Sequence, residues 1–291
     1  MDPVREAVSK ITVPLILQCK LRGERITCLT AYDFPTARLV DDAGIDVVLV
    51  GDSLAQVVLG YESTLPVTVD EMLHHVRAVR RGVRRALLVA DLPFGAYHVS
   101  EDKAVATGVR YLKEGGAEAV KLEGGRKRAA MIRRLVDAEI PVMGHLGLTP
   151  QSVHAMGGHR VQGKTFEAAS EILADAQAIE DAGAFAVVLE GIPRELAALI
   201  TRRLRIPSIG IGAGPDCDGQ VLVIHDLLGL TPEPRPKFVR AYASSAEIAR
   251  QALARYRADV LEGRFPSEAE SYHWPAEVRD QFEASSLPRT T

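Results

Sequence analysis

Acidic side chains follow three consecutive apolar segments of this 291-residue sequence, and their positions suggest metal-assisted chemistry. Val47–Val50 is followed closely by Asp52, and the next two apolar segments end at Asp91 and Glu123. Short apolar runs bounded by turn residues are typical of strands buried on both faces, so we expect these acids at strand carboxyl ends. Converging carboxylates repel one another unless a cation or protons intervene, and oxygen ligands suit a hard ion such as Mg²⁺.

Any one of these acids could instead be a helix cap or a salt-bridge partner. Their occurrence on three successive strands, with a lysine among them, favours a functional site over these structural roles. The pattern therefore predicts a metal site formed by Asp52, Asp91 and Glu123.

Two side chains next to these acids are candidates for binding a substrate. Lys121 lies two residues before Glu123, and alternation along a strand places both on one face. A lysine there can pair with the acids or hold an anionic substrate. Ser53 follows Asp52 directly and either contacts the substrate or caps the loop that follows.

Glu190 ends the sixth strand-like segment, across the expected ring of strand ends from the metal acids. An acid in that place is suited to act as a general base. It could instead pair with Lys121 or cap the helix that begins near Pro193. His145, on the fifth segment, can be a hydrogen-bonded core residue, a support for the ligands or a proton carrier, and the sequence leaves these open.

These residues need a scaffold in which strand ends meet. Strand-like segments alternate with helical ones along the chain, which predicts an α/β fold, a (β/α)8 TIM barrel. A doubly wound open sheet is the alternative, because the last two segments leave no room for a full helix between them. The expected strands cover residues 26–30, 47–50, 86–91, 117–123, 141–147, 184–190, 207–212 and 220–225.

The barrel is expected to form a single catalytic domain over residues 1–262, with a helix at its N-terminus. Residues 263–291 form a C-terminal tail that is rich in Pro, Glu and Ser and contains the single tryptophan, Trp274. We expect this tail to pack on the barrel or on a neighbouring subunit, or to stay disordered.

Composition and charge exclude several classes of partner. The chain has 35 basic and 38 acidic residues, a net charge of −3, which does not suggest binding to nucleic acid or to a membrane surface. No apolar run is long enough for a transmembrane helix, and the charged N-terminus is unlike a signal peptide. The three cysteines show no ligand spacing, so we expect free thiols and a cytoplasmic location.

Six segments, taken in order, are together typical of one known family. They are Val50–Ser53, Ser63–Thr68, Ala90–Phe94, Val120–Gly125, Gly144–Gln151 and Ile209–Gly214. From about residue 10 to 265 the chain resembles the ketopantoate hydroxymethyltransferase (3-methyl-2-oxobutanoate hydroxymethyltransferase) family. The resemblance implies a (β/α)8 barrel, Mg²⁺, small-molecule substrates, and 5,10-methylenetetrahydrofolate as one-carbon donor to 3-methyl-2-oxobutanoate. The product would be ketopantoate, in the first committed step toward pantothenate.

Position by position, the resemblance implies a role for each candidate. Asp52, Asp91 and Glu123 match the metal residues of the family, and Glu190 matches its proton acceptor. The residues that match its 2-oxoacid-binding set are Asp52, Ser53, Asp91 and Lys121. The resemblance also implies ring-like homo-oligomers, which are decamers in the family.

Two other functions remain open at this point. Another Mg²⁺-dependent C–C lyase or aldolase of the phosphoenolpyruvate/pyruvate barrel type would share the acid-lined strand ends. A non-catalytic barrel could bind an anion through the glycine-rich segment Gly210–Gly214, but this would leave the acids unexplained.

Overall fold

The computed structural model describes residues 9–158, 160–232 and 236–285 of the chain. The chain divides into two compact units, Met1–Tyr242 and Ala243–Thr291.

The three cysteines Cys19, Cys28 and Cys217 are free thiols, as expected. No helix within the described ranges is long and apolar enough to cross a membrane.

Parallel strands in the described part of the first unit form a closed barrel. Each strand pairs with the next one in sequence, and the eighth pairs with the first, which confirms the (β/α)8 barrel and excludes an open sheet. The strands are β1 Ile26–Thr30, β2 Val47–Val50, β3 Leu87–Asp91, β4 Ala119–Glu123, β5 Val142–Gly147, β6 Ala186–Glu190, β7 Ser208–Ile211 and β8 Gly219–Leu222.

The eighth strand ends earlier than the sequence predicts. Residues 220–225 were expected to be extended, but β8 stops at Leu222 and His225 lies in a short helix. The backbone N–H of Ile224 donates to the hydroxyl of Thr30 at 2.9 Å, which directs this part of the chain away from the strand pairing. As expected, the described segment between β7 and β8 contains no helix.

Helices cover the outside of the barrel, and two of them begin at a side-chain cap. Asp33 accepts a hydrogen bond from the third residue after it, and Thr68 forms a capping box with Glu71. The helices are α1 Val13–Arg22, α2 Phe34–Asp42, α3 Leu54–Val57, α4 Val69–Gly82, α5 Glu101–Arg110, α6 Ala129–Asp137, α7 Val153–Met156, α8 Phe166–Asp181, α9 Arg194–Arg203 and α10 Ile224–Leu227.

Apolar side chains fill the barrel from its amino end. Inward-facing residues near the strand starts, such as Ile26, Val47 and Met143, form one cluster with Ile16 of α1, which is fully buried. Lys20 of the same helix donates to a carboxylate oxygen of Asp218 at 2.8 Å. Since α1 closes the amino end, the carboxyl ends of the strands form the open end of the barrel.

The described part of the second unit contains two helices, α11 Ser245–Leu261 and α12 Ala276–Ala284, separated by a 3₁₀ turn at Glu268–Glu270. None of its described side chains is buried within the chain. Trp274 stacks on Phe282 with ring centroids 4.8 Å apart.

Candidate active site

The carboxyl ends of the strands open into a cavity of about 880 Å³. Every side chain that the sequence assigned to a site lines this cavity, although those residues are spread over more than half of the first unit. They are Asp52, Ser53, Asp91, Lys121, Glu123 and Glu190, joined by His145.

Strand register brings the charged side chains side by side. Asp91 of β3 is level with Lys121 of β4, and Glu123 of β4 is level with His145 of β5. Lys121 and Glu123 both face the cavity, as the alternation predicted, while the residues between and before them pack outward against the helices.

The cavity ends inside the barrel in a buried cluster of three acids and one lysine, Asp52, Asp91, Lys121 and Glu123, here called the floor. The Lys121 ammonium donates to Asp91 Oδ1 at 2.7 Å, and Asp91 Oδ2 accepts the backbone N–H of Asp52 at 3.0 Å. Burial favours the neutral amine, but Asp91, Asp52 and Glu123 outweigh it and raise the pKa of Lys121, which therefore remains a cation.

Acidic groups outnumber the single lysine on the floor, and this excess raises the pKa of Asp52. Burial and the nearby charges of Asp91 and Glu123 raise the pKa of Asp52 to about 8, although Lys121 and a hydrogen bond from Gln151 act in the opposite direction. Lys121 alone does not balance three carboxylates, and a pKa of about 8 means that Asp52 holds a proton at neutral pH. A cation bound on the floor would replace this proton.

Gln151 is a site residue whose role was not predicted from the sequence. Its side-chain nitrogen donates to Asp52 Oδ2 at 2.9 Å and to the carbonyl of Leu92 at 3.0 Å. Its backbone N–H donates to Glu123 Oε2 at 3.0 Å. The signals in the sequence were its place at the end of the segment Gly144–Gln151 and the length of the loop at 149–163, because long loops in compact domains are often functional.

Two buried tyrosines fix neighbouring groups. The hydroxyl of Tyr97 donates to Gln151 Oε1 at 2.7 Å and accepts the backbone N–H of Glu123 at 3.1 Å. The hydroxyl of Tyr32 lies 2.8 Å from Ser53 Oγ. Ser53 makes no side-chain capping bond to α3, so its hydroxyl is held by Tyr32 rather than used as a cap.

His145 lies between two carboxylates. Its Nδ1 is 3.4 Å from Glu123 Oε1, and its Nε2 is 3.2 Å from Glu190 Oε2. Burial and Lys121 favour the neutral imidazole, but Glu123 and Glu190 outweigh them and raise the pKa of His145 to about 9. His145 therefore joins the floor to Glu190 as a cationic bridge at neutral pH.

Glu190 takes neither of the structural roles considered for it. The ion pair of Lys121 is with Asp91, and α9 begins after Pro193 without a side-chain cap. The backbone of Glu190 is held by close approach of Gly147, where an added Cβ would lie 2.1 Å from the Glu190 carbonyl oxygen. Gly147 has φ of +91°, a conformation that favours glycine.

Within the described ranges, no group of three or more His, Cys, Asp or Glu side chains is placed so that it could hold a metal ion, and this includes the three acids of the floor. On the floor, Glu123 is already engaged by the backbone of Gln151 and by His145. A cation held at Asp52 and Asp91 would take its other ligands from water or from a bound molecule.

The glycine-rich segment after β7 is packed by side chains of the same chain. A Cβ on Gly212 would meet the ring of Phe238 at 2.7 Å, and one on Gly214 would meet the Arg194 Cβ at 2.4 Å. These glycines allow close packing around the cavity, and their backbone is not an open cradle for an anion.

The barrel is shared with enzymes of distant sequence. Phosphoenolpyruvate phosphomutase from Streptomyces platensis subsp. rosaceus aligns with a TM-score of 0.59 at 16% identity, covering 94% of this chain and 97% of that one. A phosphonopyruvate hydrolase complex with oxalate and Mg²⁺ aligns with a TM-score of 0.57 at 15% identity, covering 94% and 96%. At such identities the likeness concerns the fold alone.

Sequence relatives are much closer. The 3-methyl-2-oxobutanoate hydroxymethyltransferase of Koribacter versatilis is 60% identical over 275 residues, 94% of this chain and 93% of that protein. The protein of the same name in Trichlorobacter lovleyi is 58% identical, covering 90% and 98%. A family model described as ketopantoate hydroxymethyltransferase matches residues 10–268. The chain therefore belongs to the ketopantoate hydroxymethyltransferase family.

Proposed function

We propose that this protein transfers a hydroxymethyl group from 5,10-methylenetetrahydrofolate to 3-methyl-2-oxobutanoate and so forms ketopantoate, a precursor of pantothenate. The observation that carries the proposal is the buried floor with its excess of acids, faced across the cavity by Glu190. Relatives that carry the name of this reaction are 52–60% identical to the chain.

Mg²⁺ fits the floor. The donors are carboxylate oxygens, and the raised pKa of Asp52, about 8, reflects negative charge that a cation would compensate. Mg²⁺ usually binds proteins through one or two carboxylates and keeps several waters, so Asp52 and Asp91 would hold it directly and Glu123 through water. Bound Mg²⁺ would polarise the keto oxygen of the oxoacid and thereby acidify its C3 proton.

Lys121 and Ser53 would hold the oxoacid. Lys121 remains cationic and offsets the charge of the substrate carboxylate. When the Tyr32 hydroxyl donates to Ser53 Oγ, the Ser53 hydroxyl is free to donate to a substrate oxygen.

Glu190 would accept the proton from C3. Its carboxylate lines the cavity opposite Asp52 and Asp91, and His145 holds one of its oxygens at 3.2 Å. A carboxylate is a weak base, so the proton transfer depends on the acidification of C3. His145 positions Glu190 and keeps its negative charge compensated inside the barrel.

A C–C lyase of the phosphoenolpyruvate/pyruvate type is the second candidate, because such an enzyme would use the same acid-lined strand ends. Such an enzyme would cleave or form a C–C bond without folate. Turnover of 3-methyl-2-oxobutanoate that requires methylenetetrahydrofolate would exclude it.

We further propose that the protein is a cytoplasmic homo-oligomer, as the family resemblance implies. Apolar side chains on α11, such as Leu253, Tyr256 and Leu261, are exposed on a single chain. Sedimentation of a species near the chain mass of 31.5 kDa at micromolar concentration would contradict the oligomer.

The proton-transfer step is tested by exchange of the C3 proton of 3-methyl-2-oxobutanoate with D₂O, followed by NMR without folate. Exchange should require Mg²⁺ and stop with EDTA. Glu190→Gln keeps the shape of the side chain but removes its basicity, and exchange should fall by about 10²- to 10⁴-fold. Glu195→Gln, on the exposed side of α9, is the matched control. Exchange at the wild-type rate in Glu190→Gln would assign the base to another group.

The metal site is tested by thermal unfolding with and without Mg²⁺. Binding to the native state must raise the melting temperature. Asp52→Asn and Asp91→Asn should abolish most of the rise, and Glu123→Gln should reduce it less. Asp102→Asn, whose side chain is 90% exposed, serves as the control. A full Mg²⁺ effect in both floor aspartate variants would refute the assignment.

A further inference from the structure

The cavity is much larger than the oxoacid requires. Its volume of about 880 Å³ is in the range of sites for drug-sized ligands, ~300–1,000 Å³. A five-carbon oxoacid on the floor fills a small part of this space, so the outer part is available for a second, larger molecule.

The outer part differs from the floor in charge. Its exposed lining includes Arg160, Arg194 and Lys237 together with the ring of Phe238, and these four residues are here called the mouth. Asp226 is an acidic residue on this part of the lining, from the helix that follows β8. The mouth is therefore cationic on balance, whereas the floor is anionic.

Two of the mouth cations are free to bind a ligand. Arg194 is paired with Asp216 at 2.8 Å. Within the described ranges, neither the Arg160 guanidinium nor the Lys237 ammonium forms an ion pair. Both side chains are solvent-exposed at the cavity entrance, where they can reach an anionic group without breaking an existing bond.

Phe238 presents an aromatic surface next to Lys237. Its ring lies on the backbone of Gly212 at the end of β7, where an added Cβ would meet the ring at 2.7 Å. The residue remains 38% exposed, so part of the ring faces the cavity entrance.

We propose that the mouth binds the p-aminobenzoylglutamate half of the folate donor, with Arg160 and Lys237 pairing with its glutamate carboxylates and Phe238 packing against its aminobenzoyl ring. The inference rests on the proposed function, which makes a reduced folate the second substrate. The reactive carbon of that donor sits at the pterin end and must reach the floor. The aromatic ring and the dianionic glutamate then lie toward the entrance, where an aromatic surface and unpaired cations are found.

The test compares dissociation constants for two ligands, tetrahydrofolate and tetrahydropteroate, which lacks the glutamate. Titrations use the full-length protein with Mg²⁺ and saturating 3-methyl-2-oxobutanoate. Arg160→Gln and Lys237→Gln should each weaken tetrahydrofolate binding about two- to fivefold, and the double variant about tenfold, because exposed ion pairs contribute modestly. Tetrahydropteroate has one carboxylate, directly on its aromatic ring, so its binding should weaken clearly less than that of tetrahydrofolate in all three variants. The loss for tetrahydrofolate should shrink at high salt.

Matched variants separate this binding mode from a general charge effect. Lys164→Gln removes an exposed cation from the same loop as Arg160 without touching the cavity lining, and should bind tetrahydrofolate as wild type does. Phe238→Leu should weaken both ligands, since each contains the aminobenzoyl ring. Wild-type tetrahydrofolate affinity in the double variant, or an equal loss for tetrahydropteroate, would overturn the proposal. Because binding is measured rather than turnover, an enzyme that binds folate at the mouth but fails to form ketopantoate would refute only the proposed reaction.

Discussion

Replacing Asp52 by asparagine should stabilise the metal-free protein while removing its function. The variant retains the size of the side chain and the hydrogen bond from Gln151, which is 2.9 Å from Asp52 Oδ2. It removes one negative charge from a buried cluster that contains two other carboxylates. Functional sites often reduce stability in this way, because charges placed for a ligand repel one another without it.

The pKa of Asp52 gives the sign and the upper limit of the effect. The pKa rises from the ordinary 3.8 to about 8, so the folded state binds this proton more tightly than the unfolded state does. This group therefore lowers the free energy of unfolding as pH rises between these two values. With one pKa unit equal to about 1.4 kcal/mol, the limit is about 4 kcal/mol at pH 7.

Urea denaturation in EDTA at pH 5 and pH 8 measures this difference. At pH 8 we expect the free energy of unfolding of Asp52→Asn to exceed that of wild type by about 1–3 kcal/mol. At pH 5 the difference should be smaller. Adding Mg²⁺ should reverse the order, because wild type gains binding energy that the variant lacks. Asp102→Asn should stay within about 0.5 kcal/mol of wild type throughout. A variant that is less stable than wild type at both pH values in EDTA would refute the charge argument.

Three further substitutions test other parts of the scaffold. Gln151→Met leaves several buried polar groups without partners and should lower the free energy of unfolding by about 2–5 kcal/mol and reduce activity, measured by urea denaturation and turnover. Asp41→Asn weakens a buried carboxylate that accepts three backbone N–H groups at the start of β3, so a loss of about 2–4 kcal/mol is expected, against almost none for exposed Asp42→Asn. Gly147→Ala should displace Glu190. The rate at which the C3 proton of 3-methyl-2-oxobutanoate exchanges with D₂O should then fall, while the Mg²⁺-induced rise in melting temperature persists.

The site residues on the strands were predictable because their positions follow from short stretches of neighbouring sequence. Alternation along β4 is enough to place Lys121 and Glu123 on one face, and an apolar run that ends in an acid is enough to place Asp91 at a strand end. The closure of the barrel followed from the repeated strand–helix pattern. These inferences need no knowledge of contacts between distant segments.

The loop-borne part was not predictable, because it depends on such contacts. Gln151 reaches Asp52 across 99 positions of the chain and Tyr97 across 54. The end of β8 was placed too late for the same reason. The apolar residues after Leu222 suit a strand, but a hydroxyl 194 positions away, on Thr30, takes the N–H of Ile224.

The two ends of the barrel differ in how their charges are satisfied, and this difference separates scaffold from site. At the amino end, Lys20 pairs with Asp218, and Asp41 accepts backbone N–H groups, so each buried charge has its partners. At the carboxyl end, buried carboxylates outnumber the cations available to them, and the pKa of Asp52 rises to about 8 in response. Charges that only support the fold are expected to be paired, because an unpaired buried charge is destabilising. We therefore expect a bound cation to compensate the excess of acidic groups inside this otherwise well-packed barrel.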